Sequence, residues 1–166
     1  MKIYLIGFMG CGKSTIGKLL ARKLKLRFID LDALIQERTY STIPELFEKK
    51  GEAGFREQEK LALHQAIEMP DSVIATGGGA PCFFDNMERM NADGKTVYLK
   101  LSPTELAKRL ANSKTVRPLI AGKSGEELET FIAEKLAERE SWYSQAQFTV
   151  APSRNEVDEL AELLAG

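Results

Sequence analysis

The sequence predicts an α/β fold, with a parallel sheet lying between two layers of helices. Three observations carry this. Short apolar runs alternate with helical repeats along the chain, and that alternation places crossover helices on both faces of a parallel sheet. The first apolar run ends in a glycine-rich loop that opens the first helix. The 166 residues, 43% hydrophobic and 28% charged, suit a single domain, 1–166, with a core of its own.

The elements follow in order. Residues 3–6 read as a buried strand. Ile16, Leu19, Leu20 and Leu24 recur at the spacing of one helical face. Residues 27–31 read as a second strand, and helical segments follow at about 33–38, 43–50 and 55–68. Ser41-x-x-Pro44-Glu45 has the spacing of a cap for the middle one. Val73, Ile74 and Ala75 form a third strand that runs into Gly77-Gly78-Gly79. Residues 83–90 read as helical and 96–101 as a fourth strand. Ser102-Pro103 then opens a helix, with serine at the N-cap and proline at the first position. Leu128, Phe131, Ile132 and Leu136 mark a longer helix, Phe148 to Val150 a fifth strand, and Val157, Leu160, Leu163 and Leu164 a last helix.

Composition excludes several classes of function. Lys plus Arg is 23 and Asp plus Glu is 24, a net charge of −1. A nucleic-acid binder would carry a basic excess. No apolar run approaches the ~20 residues of a membrane span. His64, Cys11 and Cys82 make neither a zinc site nor a disulfide framework. The run at residues 3–6 stops at Gly7, too short for a secretory leader. The expectation is a cytoplasmic monomer acting on a small molecule, with no nucleic-acid or membrane partner.

Gly7-Phe8-Met9-Gly10-Cys11-Gly12-Lys13-Ser14 matches G-x-x-x-x-G-K-[ST] at every fixed position, between a strand and a helix. Glycines let the backbone curl so that its N–H groups face a phosphate. The helix that follows adds the positive end of its dipole. Gly10, Cys11, Gly12, Lys13, Ser14 and Thr15 are therefore the candidate nucleotide contacts. Lys13 would reach the β- and γ-phosphates of ATP, and the Ser14 hydroxyl would ligate Mg²⁺. Cys11 reads as a small filler whose backbone does the binding.

Such an enzyme also needs acids. The third strand ends in Thr76 and glycines, so no carboxylate is available there. Asp30 and Asp32 stand at the end of the second strand, and alternate residues of an extended segment point the same way. Ligands bind at the carboxyl ends of parallel strands. Asp30 could then hold the metal and Asp32 could take a proton from a hydroxyl. The alternative is that Asp32 caps the next helix and Asp30 is a solvated strand end.

Between Glu105 and Glu126 there is no acid, while Lys108, Arg109, Lys114, Arg117 and Lys123 give a local charge of +5. Residues 112–125 read as a mobile lid that could bring Arg117 to polyphosphate, or else as a solvated loop. The glycine triplet suits a close approach to ligand or a plain turn. Arg56, Arg139 and His64 read, on their own, as ordinary helical residues.

In combination these elements resemble shikimate kinases. The phosphate loop is followed by Asp30-Leu31-Asp32, then Gly51-Glu52-x-x-Phe55-Arg56-x-x-Glu59, Gly77-Gly78-Gly79 and Thr115-Val116-Arg117-Pro118-Leu119, in order over nearly the whole chain. The resemblance implies a three-layer P-loop kinase fold with a five-stranded parallel sheet of order 2-3-1-4-5 and a mobile lid. It implies transfer of the γ-phosphoryl of ATP, with Mg²⁺, to the 3-hydroxyl of shikimate. By resemblance Asp32 orients the acceptor and is its base, with Lys13 and Arg117 completing the catalytic set. Arg56 and Arg139 bind the acceptor carboxylate with Gly78 and Gly79, and Glu59 holds that pocket. The acceptor-binding segment spans about 32–60. Arg109 lies against adenine, and no adenine contact is assigned to residues 151–155. A forked arginine pair fits a small carboxylate. The rivals are another small-molecule kinase of the same fold, such as a gluconate kinase, and a regulatory ATP-binding module.

Overall fold

The computed structural model describes residues 1–112, 120–152 and 157–165. They form β1 (Lys2–Ile6), α1 (Lys13–Leu24), β2 (Arg27–Asp30), α2 (Leu31–Thr39), α3 (Ile43–Glu68), β3 (Ser72–Ala75), α4 (Asn86–Asp93), β4 (Lys95–Leu99), α5 (Pro103–Ala111), α6 (Gly125–Tyr143), β5 (Phe148–Val150) and α7 (Val157–Ala165). The strands make one sheet of order β2-β3-β1-β4-β5, the arrangement expected. Every neighbouring pair is parallel, with Leu5 of β1 beside Ala75 on one side and Val97 on the other.

The central strand explains its own composition. Ile3 and Leu5 face one core layer with Ile16, Leu20, Leu106, Ile132 and Leu160. Tyr4 and Ile6 face the other with Leu34, Leu63, Met87 and Tyr143. A strand buried on both faces needs an unbroken apolar run. Helix α6 serves both layers, through Ile132 near its middle and Tyr143 at its end.

The structure adjusts several elements. Strand β2 stops at Asp30, and Leu31 already opens α2. Thr42, not Ser41, caps α3, in a reciprocal capping box with Glu45. Helix α3 runs from 43 to 68 but is broken at Gly51 (φ 68°, ψ −177°), in agreement with the two segments expected, the second of which starts at Glu52 rather than Phe55. Residues 83–85 are not helical. A short 3₁₀ turn at Ala80–Cys82 comes first, and α4 starts only at Asn86. Strand β4 begins at Lys95 and ends at Leu99. Leu163 is 51% exposed, and Ala161 takes its place on the inner face of α7.

Parallel strands put all their carboxyl ends on one edge. That edge carries the loop after β1, Asp30 at the end of β2, and Thr76 with Gly77-Gly78-Gly79 after β3.

Candidate active site

The loop after β1 is built for an anion. Gly12 stands at the N-cap of α1 with φ 100°, so the chain enters the helix through a left-handed residue. No side chain caps α1 and no acid lies in its first turn, which leaves its leading N–H groups facing the cleft. Lys13 is buried, and its ammonium donates to the carbonyls of Gly7 (2.6 Å) and Phe8 (3.0 Å). Cys11 is buried beneath the loop. The cleft above, about 560 Å³, is lined by Gly10, Gly12, Lys13, Ser14 and Thr15 on one side and Arg109 on another. A methyl group on Gly12 would lie 3.1 Å from Nη1 of Arg109, so that guanidinium reaches over the loop.

Ser14 Oγ donates to Asp30 Oδ2 at 3.3 Å. The other oxygen of Asp30 accepts from the N–H groups of Asp32 (3.0 Å) and Ala33 (3.3 Å). Asp30 is thus the cap of α2, and Asp32 sits in that helix's first turn. The two carboxylates do meet at one site, but by a helix start rather than by strand alternation. Among the described residues no three His, Cys, Asp or Glu side chains gather at metal-binding spacing. A hydroxyl and one carboxylate oxygen suit Mg²⁺, which keeps most of its ligands as water and phosphate.

A second cleft of about 620 Å³ opens beside the first. The two share Met9, Ser14, Asp30, Asp32, Gly77 and Gly78. Arg56 and Glu59 line the second cleft and are 4% and 0% exposed. The bland reading of Arg56 as a surface residue therefore fails. Its Nη1 donates to Glu59 (2.9 Å) and its Nη2 to the half-exposed Glu52 (3.2 Å). Burial pushes the Glu59 carboxyl up to about 7; Arg56 and Arg139 oppose the shift and Asp32 adds to it. Phe47 and Phe55, with ring centroids 4.7 Å apart, form an apolar wall.

The glycine triplet makes room for these side chains. A Cβ on Gly77 would lie 2.7 Å from Glu59 Oε2 and 3.3 Å from Asp32 Oδ1. One on Gly79 would lie 2.5 Å from Nη2 of Arg56. A Cβ on Gly78 would be 3.3 Å from Nη1 of Arg139. Arg139, 6% exposed, packs 5.4 Å over the Phe8 ring and donates toward the Tyr143 hydroxyl at 3.5 Å. Tyr143 in turn donates to the carbonyl of Gly78 at 2.5 Å. So the structure brings Asp32, Arg56, Glu59, Gly78 and Gly79 together, with Arg139 against Gly78. Arg117 lies outside the described residues, as do 113–116, 118–119 and 153–155. Sequence reasoning missed Tyr143 and Phe47. Only the i, i+4 spacing of Glu52 and Arg56 hinted at the ion pair between them.

A glycine-loop cleft joined to a second cleft through two aspartates, on a sheet of this order, defines a P-loop kinase that acts on a small molecule. The sequence profile of one such family, shikimate kinase, matches residues 9–165. A shikimate kinase of Parabacteroides distasonis is 53% identical over 148 residues, 89% of this chain and 86% of that protein. The crystal structure of shikimate kinase from Bacteroides thetaiotaomicron superimposes with a TM-score of 0.94 at 48% identity, covering 100% of this chain and 99% of that one. That of Acinetobacter baumannii, in complex with shikimate, gives 0.87 at 35% identity, covering 99% and 90%. The chain belongs to the shikimate kinase family.

Proposed function

We propose that the chain transfers the γ-phosphoryl of ATP to the 3-hydroxyl of shikimate, giving shikimate 3-phosphate for aromatic amino-acid biosynthesis. The observation that carries the reading is the junction of the two clefts. An anion-binding loop lies on one side, a buried arginine on the other, and Asp30 and Asp32 between them. Lys13 exchanges its loop carbonyls for β- and γ-phosphate oxygens, since a phosphate is the stronger acceptor. Mg²⁺ held by Ser14 and, through water, by Asp30 would neutralise charge on the phosphates. Arg109 lies against adenine.

On the acceptor side, Arg56 and Arg139 bind the carboxylate with Gly78 and Gly79, and Glu59 holds Arg56 in place. The acceptor carboxylate then competes with Glu52 for Nη2 of Arg56. Asp32 orients the ring hydroxyls and takes the proton. The segment 32–60 acts as the acceptor-binding unit. A lid over 112–125 closes and brings Arg117 to the developing charge, which also limits ATP hydrolysis. Catalysis is mainly positioning and charge neutralisation. The net charge of −1 supports a small-molecule enzyme working as a cytoplasmic monomer with no nucleic-acid or membrane partner, and no described helix is long and apolar enough to cross a membrane.

The test is an ADP-release assay with Mg-ATP, comparing shikimate with quinate, gluconate, AMP and CMP. Saturable turnover with shikimate alone is expected. Turnover with gluconate or a nucleotide instead would reassign the acceptor cleft, and ADP release with none of them would leave only the ATP-binding half of the reading.

A further inference from the structure

Arg56 is held in its plane by few hydrogen bonds. Nη1 and Nη2 each have a carboxylate partner, while the buried Nε has no partner among the described residues. A guanidinium bonded only along one edge can still tilt, and a tilted fork cannot meet both oxygens of a carboxylate. Besides the Phe55 ring, 5.2 Å from Cζ on the same helix, two features from a distant segment oppose the tilt. The backbone at Gly79 lies so close that a Cβ there would be 2.5–2.7 Å from Nη2, Cζ and Nη1 together, so it covers the flat face of the group. The ring of Phe83 then packs with its centroid 4.3 Å from Cζ.

Phe83 reaches that position through an unusual turn. Phe84, the next residue, has φ 52°, a left-handed conformation that bulky side chains seldom adopt. Phe84 is 53% exposed, with the Lys60 ammonium 4.6 Å from its ring. Phe83 itself is half-buried. The turn sends one aromatic ring outward and sets the other against the arginine. A strained turn persists where the surroundings over-determine it, and such strain gathers at ligand clamps. We infer that Phe83 is a positioning residue for acceptor recognition: its ring is a shelf that fixes the plane of the Arg56 guanidinium for a bidentate carboxylate.

The inference rests on the reading of Arg56 as the acceptor's carboxylate ligand, and the experiment separates the two. Phe83→Leu keeps apolar bulk without a π face, and Phe83→Tyr keeps the face. Phe83→Met, unbranched, serves where leucine disturbs packing. Steady-state kinetics with shikimate should show KM raised about five- to tenfold in Phe83→Leu or Phe83→Met, kcat within about twofold because carboxylate binding is the same in ground and transition states, and recovery in Phe83→Tyr. In ¹H–¹⁵N spectra without substrate, the Arg56 Nε–Hε signal should keep its full ring-current shift in Phe83→Tyr and lose the larger part of it in Phe83→Leu, where only the more distant Phe55 ring, 5.2 Å from Cζ, is left. An unchanged KM in Phe83→Leu, while Arg56→Ala raises it, would overturn the shelf and leave the arginine reading intact. An unchanged KM in Arg56→Ala would remove that reading and the shelf's purpose with it. A KM rise in Phe84→Asn equal to that in Phe83→Leu would also overturn the proposal, because the turn rather than the ring would then be responsible.

Discussion

Asp32 and Glu59 both crowd the place where a Cβ on Gly77 would be, at 3.3 and 2.7 Å, and the proposed function gives them different roles. Asp32→Asn keeps the shape and removes the proposed base, so kcat should fall about a hundredfold or more with little change in fold; near-wild-type kcat would sink the role. Arg139→Ala should chiefly raise KM for shikimate, and an unchanged KM would remove Arg139 from the carboxylate site. Glu59 makes a pH prediction. Its carboxyl is raised by burial to about 7 from an ordinary 4.5, with Arg56, Asp32 and Arg139 as its charged neighbours. The folded state therefore holds the proton more tightly than the unfolded chain, and the stability it contributes is lost as pH rises from about 4.5 through about 7. Melting curves of wild type and Glu59→Gln should show the wild type's relative stability declining across that window; parallel curves would contradict it. The residues with a fixed chemical spacing, from Gly7 to Ser14 and the two aspartates, were legible in the sequence. Arg56 and Arg139 stood out only through the family resemblance, not from their own surroundings in the sequence. A helical arginine with glutamates close by in sequence looks solvated, and it is the packing of Gly79 and Phe83 on Arg56 and of Phe8 on Arg139, from distant segments, that local sequence does not show.

At the level of elements, helix starts do the positioning. Asp30 caps α2 and so fixes the turn that carries Asp32. The sequence placed both aspartates at one site for the wrong reason, since strand and helix-start geometry each bring i and i+2 to the same edge. The capping box of Thr42 and Glu45 starts α3, and the kink at Gly51 re-aims the half that carries Glu52, Arg56 and Glu59. Gly51 has nothing within 4 Å of a built Cβ, so its glycine is required by backbone conformation alone. Its φ of 68° and ψ of −177° lie in a region open essentially to glycine, at a cost of about 1–3 kcal/mol for other residues. Gly51→Ala should lower stability by that amount in denaturant titration and raise KM for the acceptor more than for ATP. An alanine variant of wild-type stability would mean that the kink is not needed. The break was legible, because Gly51 and Gly54 interrupt a helical pattern. The turn at Phe84 was not, because no local rule puts a phenylalanine in a left-handed conformation.

Across the whole molecule, the parallel sheet gathers the carboxyl ends of β1, β2 and β3 on one edge, and two clefts share that edge through Asp30, Asp32 and the glycine triplet. Under the proposed function the shared edge would bring donor and acceptor together, while the far wall of each cleft would serve one ligand. Lys13 and Arg109 line only the first, and Arg56 and Glu59 only the second. This predicts a double dissociation in ligand-induced stabilisation. A ligand at a hundred times its Kd adds about 2.7 kcal/mol to a protein that binds it only when folded, or about 5–11 °C in Tm for a chain of this size. Mg-ATP and shikimate, each added alone, should both raise Tm in the wild type. Arg56→Ala should lose the shift with shikimate and keep that with Mg-ATP, and Lys13→Ala should do the reverse. If either variant loses both shifts, the clefts are not separate binding units, and the far walls act on the shared edge instead of on their own ligands. If neither loses any, the arginine and the lysine contribute to the transition state alone, and their effects should then appear in kcat without any change in ligand binding.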